Sequence, residues 1–163
     1  GRDDPGALRR APLVVEGLLA GEGQERALLI DRCWSIYLLL TEHVSVPSAF
    51  HEEFPILVER ATHSGLFHLT VRLSDEHSLY IREEYEVTGH QLHVDSYSYT
   101  LTGPGGDPLF RADSLPHHRT DHRKRPLAAF PHHLHDPRGR ILSFSGEVID
   151  FIALVKQHTN QSR

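Results

Sequence analysis

Three runs in the middle of the chain alternate apolar and polar residues: Phe67–Leu73, Ser78–Val87 and Leu92–Leu101. Period two sends successive side chains to opposite faces of a strand, so each run predicts a half-buried strand. Short polar connections at residues 74–77 and 88–91 join them, and Gly103-Pro104-Gly105-Gly106-Asp107 turns the chain into a further run, Leu109-Phe110-Arg111. The expectation is an antiparallel meander of about four strands.

From Gln24 to Leu40 the chain is so densely apolar that period cannot separate one buried helix from a helix followed by a strand. The reading adopted is a helix that becomes a strand near Trp34. Val46-Pro47-Ser48 then looks like a helix start, with an N-cap at Pro47 or Ser48 and with Glu52 and Glu53 complementing the dipole. Ile56, Leu57, Arg60 and Ala61 would continue this helix, Pro55 marks a kink or a later start, and Gly65 suits the left-handed position after its end. In Ser143–Gln157, Ile149, Ile152, Ala153 and the positions beside Val155 recur at helical spacing, with Ser145 and Glu147 near the start. That predicts a C-terminal helix packed on the sheet. The fold class is therefore α+β, a single domain over residues 11–163 with one or two N-terminal helices, a curved antiparallel sheet and a C-terminal packing helix. The chain lacks methionine even at position 1, so residues 1–10 read as a flexible terminus outside the fold.

Residues 113–140 fit neither period. They carry four prolines and predict an ordered loop excursion across the open face of the sheet, and long ordered loops are usually functional. Six of the fourteen histidines fall between residues 111 and 140, five of them in two proline-framed groups, Pro116-His117-His118 and Pro131-His132-His133-Leu134-His135. Imidazole is the side chain that exchanges protons near neutrality and the commonest metal ligand, and both uses need several held in fixed relation. The same segment has seven Arg or Lys (Arg111, Arg119, Arg123, Lys124, Arg125, Arg138, Arg140) against Asp113, Asp121 and Asp136, in a chain of net charge −5. A basic segment on an acidic body is the footprint of a local phosphate-binding surface.

Composition removes other classes. Cys33 is the only cysteine, which excludes an intrachain disulfide framework and a cysteine-rich zinc site, and it reads as a small buried hydrophobe. The apolar run Cys33–Leu40 is far shorter than the roughly 20 residues a membrane helix needs. A cytoplasmic protein with no membrane contact is the expectation. No phosphate-cradling glycine loop, Ser-His-Asp order or cofactor fingerprint is present, so no cofactor is assigned. Glu83-Glu84 reads as a solvated strand edge within reach of Arg82.

Between Leu79 and His135 an ordered series of motifs resembles the TumE family of bacterial toxins. The series runs Tyr80-Ile81-Arg82-Glu83, Tyr97-Ser98-Tyr99, Gly106-Asp107, Arg111-Ala112-Asp113, Pro116-His117-His118 and Phe130-Pro131-His132-His133-Leu134-His135. The order is more specific than any one piece, although Thr100, Ala112 and Ser114 depart from the family's usual residues. The resemblance implies a TumE-like domain that acts as the growth-inhibiting toxin of a toxin–antitoxin pair, with a helix-turn-helix antitoxin as partner. A homodimer is a further association the sequence leaves open.

Chemistry then suggests three ways of using the histidines. In the first, a metal-independent ribonuclease, His118 and His133 form the acid–base pair, Arg111 holds the phosphate and Asp113 orients an imidazole, with His117, His132 and His135 in support. Arg119, Arg123, Lys124, Arg125 and Arg138 would bind nucleic acid, RNA above all. Tyr97 and Tyr99, on one face of a strand, would stack a base or, as the preferred reading has it, simply pack. The second is a metal-dependent nuclease with His132 or His133, His135 and an Asp as ligands. The third is a noncatalytic module whose loops dock a protein.

Overall fold

A computed structural model describes residues 23–52, 56–61 and 63–161. The expected flexible stretch 1–10 and the readings of Glu53 and Pro55 lie outside these residues. Helix α1 (Gly23–His43) and the short α2 (Ser48–Glu52) precede strands β1 (Ile56–Ala61), β2 (Ser64–Arg72), β3 (Ser78–Thr88), β4 (Gln91–Thr102), β5 (Pro108–Asp113), β6 (His133–His135) and β7 (Ile141–Ser143), and helix α3 (Val148–Gln161) closes the fold. All seven strands form one sheet in sequence order, each antiparallel to the next. The fold is α+β, as the patterning implies.

Two expectations near the N-terminus are corrected. The apolar run does not become a strand near Trp34: α1 is continuous, and its buried residues Leu29, Cys33, Ile36 and Leu40 follow the spacing of a single helical face. Part of the apolar surface off that face is covered too, because Trp34 stacks on Tyr37 and Tyr37 on Phe50 from α2, with centroids 5.0 and 5.5 Å apart. That second covering blurred the period. The helix expected from Ser48 to Ala61 stops at Glu52, and Ile56–Ala61 is the edge strand β1, in register with β2 from Ile56↔Leu69 to Ala61↔Ser64. Gly65 is accordingly no helix cap. It lies in β2, where an added Cβ would stand 2.5 Å from the Glu59 carbonyl oxygen and 2.6 Å from the Tyr85 hydroxyl. Gly65 is there to let backbone and ring approach.

Both long helices lie on one face of the sheet. Period two delivers Phe67, Leu69, Val71, Leu79, Ile81, Tyr97, Tyr99 and Leu101 to that face, where they meet Leu29, Ile36 and Leu40 of α1 and Val148, Phe151, Ile152 and Val155 of α3. The buried stripe of α3 is thus offset from the expected one, for Ile149 is 47% exposed and Ala153 faces solvent. Ser145 caps this helix, its Oγ accepting from the Glu147 N–H at 3.1 Å and donating to Asp150 at 2.5 Å.

Glu83 overturns the solvated-edge reading. It points into the helix-side core with no exposed surface and receives Arg32 of α1 in a two-pronged pair, Nε to Oε1 at 2.8 Å and Nη2 to Oε2 at 2.7 Å, while the Tyr99 hydroxyl donates to it at 2.5 Å. Burial opposes a charged guanidinium, yet the Glu83 carboxylate more than compensates and holds the Arg32 pKa above its ordinary value. Glu84, on the other face, does pair with Arg82 at 2.5 Å.

Candidate functional site

Register builds the site. On β5 and β6, Arg111 stands opposite His135, Ala112 opposite Leu134 and Asp113 opposite His133. Alternation sends Ala112 and Leu134 to the helix-side core and leaves Arg111, Asp113, His133 and His135 together on the other face. The second histidine group is therefore partly sheet rather than loop, since Leu134 supplies the apolar anchor that seats His133-Leu134-His135 as a strand. The excursion, residues 114–132, crosses this face and lays His117 and His118 over the strand pair. Ring centroids of His133 lie 4.8 Å from His117, 5.0 Å from His118 and 5.0 Å from His135, and those of His117 and His118 are 4.2 Å apart.

One nitrogen from each of His117, His118, His133 and His135 lies within 4.8 Å of the others. His133 has no exposed surface, His118 and His135 are half-buried and His117 is exposed, so the cluster opens to solvent at His117. The His133 Nδ1 faces the Pro131 carbonyl oxygen at 2.9 Å, and because a carbonyl only accepts, Nδ1 carries the proton. The His133 Nε2 then turns inward. It comes within 3.2 Å of Asp113 Oδ1 but has no hydrogen-bond partner among the described residues. Burial, then Arg111 and His133, push the His135 pKa down to about 4, and burial, then His117 and His133, lower that of His118. The His135 ring is therefore neutral at pH 7.

Asp113 ties the parts together. Its Oδ1 accepts from the Leu115 N–H at 3.0 Å, fixing the departure of the excursion, and its Oδ2 lies 3.3 Å from Arg111 Nε and 4.0 Å from His135 Nε2. Arg111 Nη2 donates to His135 Nε2 at 3.1 Å.

The other candidate residues lie elsewhere. His132 points away from the cluster, stacked on Tyr97 with its Nδ1 2.8 Å from the Tyr97 hydroxyl. Tyr97 and Tyr99 are buried and stacked on each other at 4.5 Å, the packing arrangement, with no ring face free for a base. Arg119 lies over the exposed Phe130 ring at 5.2 Å. Arg125 is tied to Asp121, while Arg123, Lys124 and Arg138 are exposed and make no ion pair among the described residues.

Two residues that sequence reasoning passed over organise the rim. Asp121 Oδ1 accepts from the Arg123 and Arg125 N–H groups at 2.8 and 2.9 Å and its Oδ2 from Arg125 Nε at 3.0 Å; Asp136 does the same for Arg138 and Arg140 at 2.9, 2.9 and 2.6 Å. Lys124 and Gly139, fourth in each turn, share a left-handed φ of 62° and 75°. The signal was legible, because Asp121-His122-Arg123-Lys124-Arg125 and Asp136-Pro137-Arg138-Gly139-Arg140 repeat one Asp-x-Arg-x-Arg pattern.

Among the described residues no helix is long and apolar enough to cross a membrane. No curated protein and no solved structure matches the chain. A family model described as toxin TumE does match, over residues 40–159, a span that takes in the whole sheet, the histidine cluster and nearly all of α3. With its motif series seated in the strands and excursion that assemble the cluster, this chain belongs to the TumE toxin family.

Proposed function

We propose that the chain cleaves RNA as the toxin of a toxin–antitoxin pair, with the four-histidine centre as the reacting end, and that a helix-turn-helix antitoxin silences it by covering the excursion. Membership in a toxin family implies the antitoxin partner. The observation that carries the reading is the convergence of His117, His118, His133, His135, Arg111 and Asp113 at one solvent-reachable spot beside a basic rim.

None of these six groups is a serine- or cysteine-like nucleophile, and Cys33 is buried in the core, so the substrate supplies the attacking oxygen. The ribose 2′-oxygen attacks phosphorus and the bond to the 5′-oxygen breaks, giving a 2′,3′-cyclic phosphate and a 5′-hydroxyl. Water takes the 2′ proton and returns one to the 5′-oxygen. Arg111, about half exposed, holds a phosphate oxygen and balances developing charge. The rim cations Arg119, Arg123, Lys124 and Arg138 guide the backbone in.

The imidazoles work as one unit here. An acid and a base on opposite sides of a phosphate each sit about 2.8 Å from their oxygens, so their nitrogens stand apart by roughly twice that plus the width of the group. Donors within 4.8 Å of one another are too close, and the His133 ring does not meet solvent. That spacing favours a shared centre over a His118–His133 bracket.

The test uses purified chain and a single-stranded RNA labelled at its 5′ end, compared with the His117→Ala/His118→Ala variant, alongside growth after induction. Cleavage leaving cyclic phosphate ends, lost in the variant, supports the reading. Growth arrest with intact RNA would overturn it in favour of a noncatalytic toxin.

A further inference from the structure

We infer that His117, His118, His133 and His135 bind one divalent first-row transition metal ion of the zinc class, an inference that rests on the cleavage reading only for what the ion does there.

The buried lone pair is the first argument. With its proton fixed on Nδ1 by the Pro131 carbonyl, His133 presents Nε2 as an acceptor, fully buried and without a hydrogen bond, to the carboxylate oxygen of Asp113 at 3.2 Å. Two acceptors facing each other out of water are unfavourable unless something positive lies near both. Three further imidazole nitrogens surround the same point within 4.8 Å. Zinc–nitrogen bonds of about 2.0–2.1 Å place tetrahedral donors about 3.4 Å apart, so closing on an ion asks for side-chain shifts on the order of 1 Å.

The donor set names the metal. Four imidazole nitrogens suit zinc, copper, nickel or iron, whereas magnesium and calcium take oxygen ligands. The surroundings fit as well: the Pro131 carbonyl holds the far nitrogen of His133, and the Asp113 carboxylate, 3.2 Å from His133 Nε2 and 4.0 Å from His135 Nε2, sets negative charge beside the cation. His133 and His135 are held by the sheet, and His117 and His118 come from the excursion. The ion therefore pins the excursion to β6, and its reachable side is at His117. Arg111, which donates to His135 Nε2 in the structure, gives that lone pair to the ion and keeps its contact with Asp113 Oδ2. Held by all four imidazoles the ion would have no open position, so what it would supply is positive charge beside Arg111 and a fixed excursion, with a phosphate oxygen reaching it only in place of the exposed His117.

Tag-free chain is stripped with chelator and titrated with Zn²⁺ by calorimetry and with Co²⁺ by visible absorption, with no RNA present. The expected result is one ion per chain and an intense Co²⁺ band of the four-coordinate type. His117→Ala and His133→Gln weaken Zn²⁺ by at least about tenfold, and His93→Ala, at an exposed histidine of β4, leaves it unchanged. His117 is exposed, so its truncation tests ligation without the packing loss that His133 variants risk. Failure to bind stoichiometrically, or binding unaltered in His117→Ala, overturns the inference; a proton on His133 Nε2 would then be the occupant. Stoichiometric binding by a chain that leaves RNA intact defeats only the cleavage reading, and chelator-resistant cleavage without binding defeats only the metal.

Discussion

Asp113 and His133 meet across the β5–β6 pair with Oδ1 and Nε2 3.2 Å apart and no hydrogen bond between them. The same carboxylate caps Leu115 and lies near Arg111 and His135, so one residue connects strand, excursion and cluster. Asp113→Asn keeps the size and the cap but removes the charge that faces His133 Nε2 and His135 Nε2. It is expected to weaken Zn²⁺ binding by about tenfold or more, through the lost charge beside the ion, while moving the thermal midpoint little, measured by calorimetry and circular dichroism. A large loss of stability with unchanged affinity would make Asp113 a purely structural residue.

Arg32→Ala strands the Glu83 carboxylate in the core. Breaking a buried pair from one side costs about 3–5 kcal/mol, and the lower end applies because the Arg32 side chain is 26% exposed. Chemical denaturation should show this loss. Arg32→Met combined with Glu83→Leu should recover most of it, since no charge is then left unpaired.

Gly65→Ala forces a methyl against the Glu59 carbonyl and the Tyr85 hydroxyl and is expected to cost about 1–3 kcal/mol in denaturant melts. Gly146→Ala acts elsewhere. Gly146 has a φ of 89°, and its Cβ would lie 2.8 Å from the His132 ring, so the substitution drives His132 off Tyr97. A change in tyrosine fluorescence without loss of Zn²⁺ binding is expected, because His132 lies outside the cluster.

Asp136 sets a pH dependence. Burial alone would raise its pKa, but the Arg140 and Arg138 N–H groups and the Arg140 guanidinium outweigh it and hold the carboxylate below its ordinary value. A depressed folded value contributes stability above the unfolded value, about pH 4, and that contribution disappears as pH falls through the folded value. The stability gap between wild type and Asp136→Ala should hold steady from pH 5 to 8 and shrink below about pH 4. A gap independent of pH down to 2 would refute the assignment.

Arg123 and Lys124 sit exposed at the tip of the Asp121 turn. Removing both should weaken single-stranded RNA binding for all sequences alike and flatten the log–log salt dependence by about 0.7 per charge, read by fluorescence anisotropy across salt. An unchanged slope would place the RNA path elsewhere.

Period two between Phe67 and Leu101 determined three central strands, because alternation alone decides which side chains reach the core. The proline-framed histidines and the TumE motif series likewise pointed to the segment in which four imidazoles converge. Other features were decided only by the tertiary structure. A helix covered on two sides hides its period, as α1 does under the Tyr37–Phe50 stack; a six-residue edge strand at Ile56–Ala61 has too few alternations to outweigh a helix start before it. Local sequence treats His132 and His133 as equivalent neighbours, but strand alternation points them apart, His132 to Tyr97 and His133 to Asp113. Which four of fourteen imidazoles share a centre was set by the register of β5 on β6 and by the excursion folding over them, since contacts between residues some fifteen positions apart depend on the path of the backbone and leave no periodic trace in the chain.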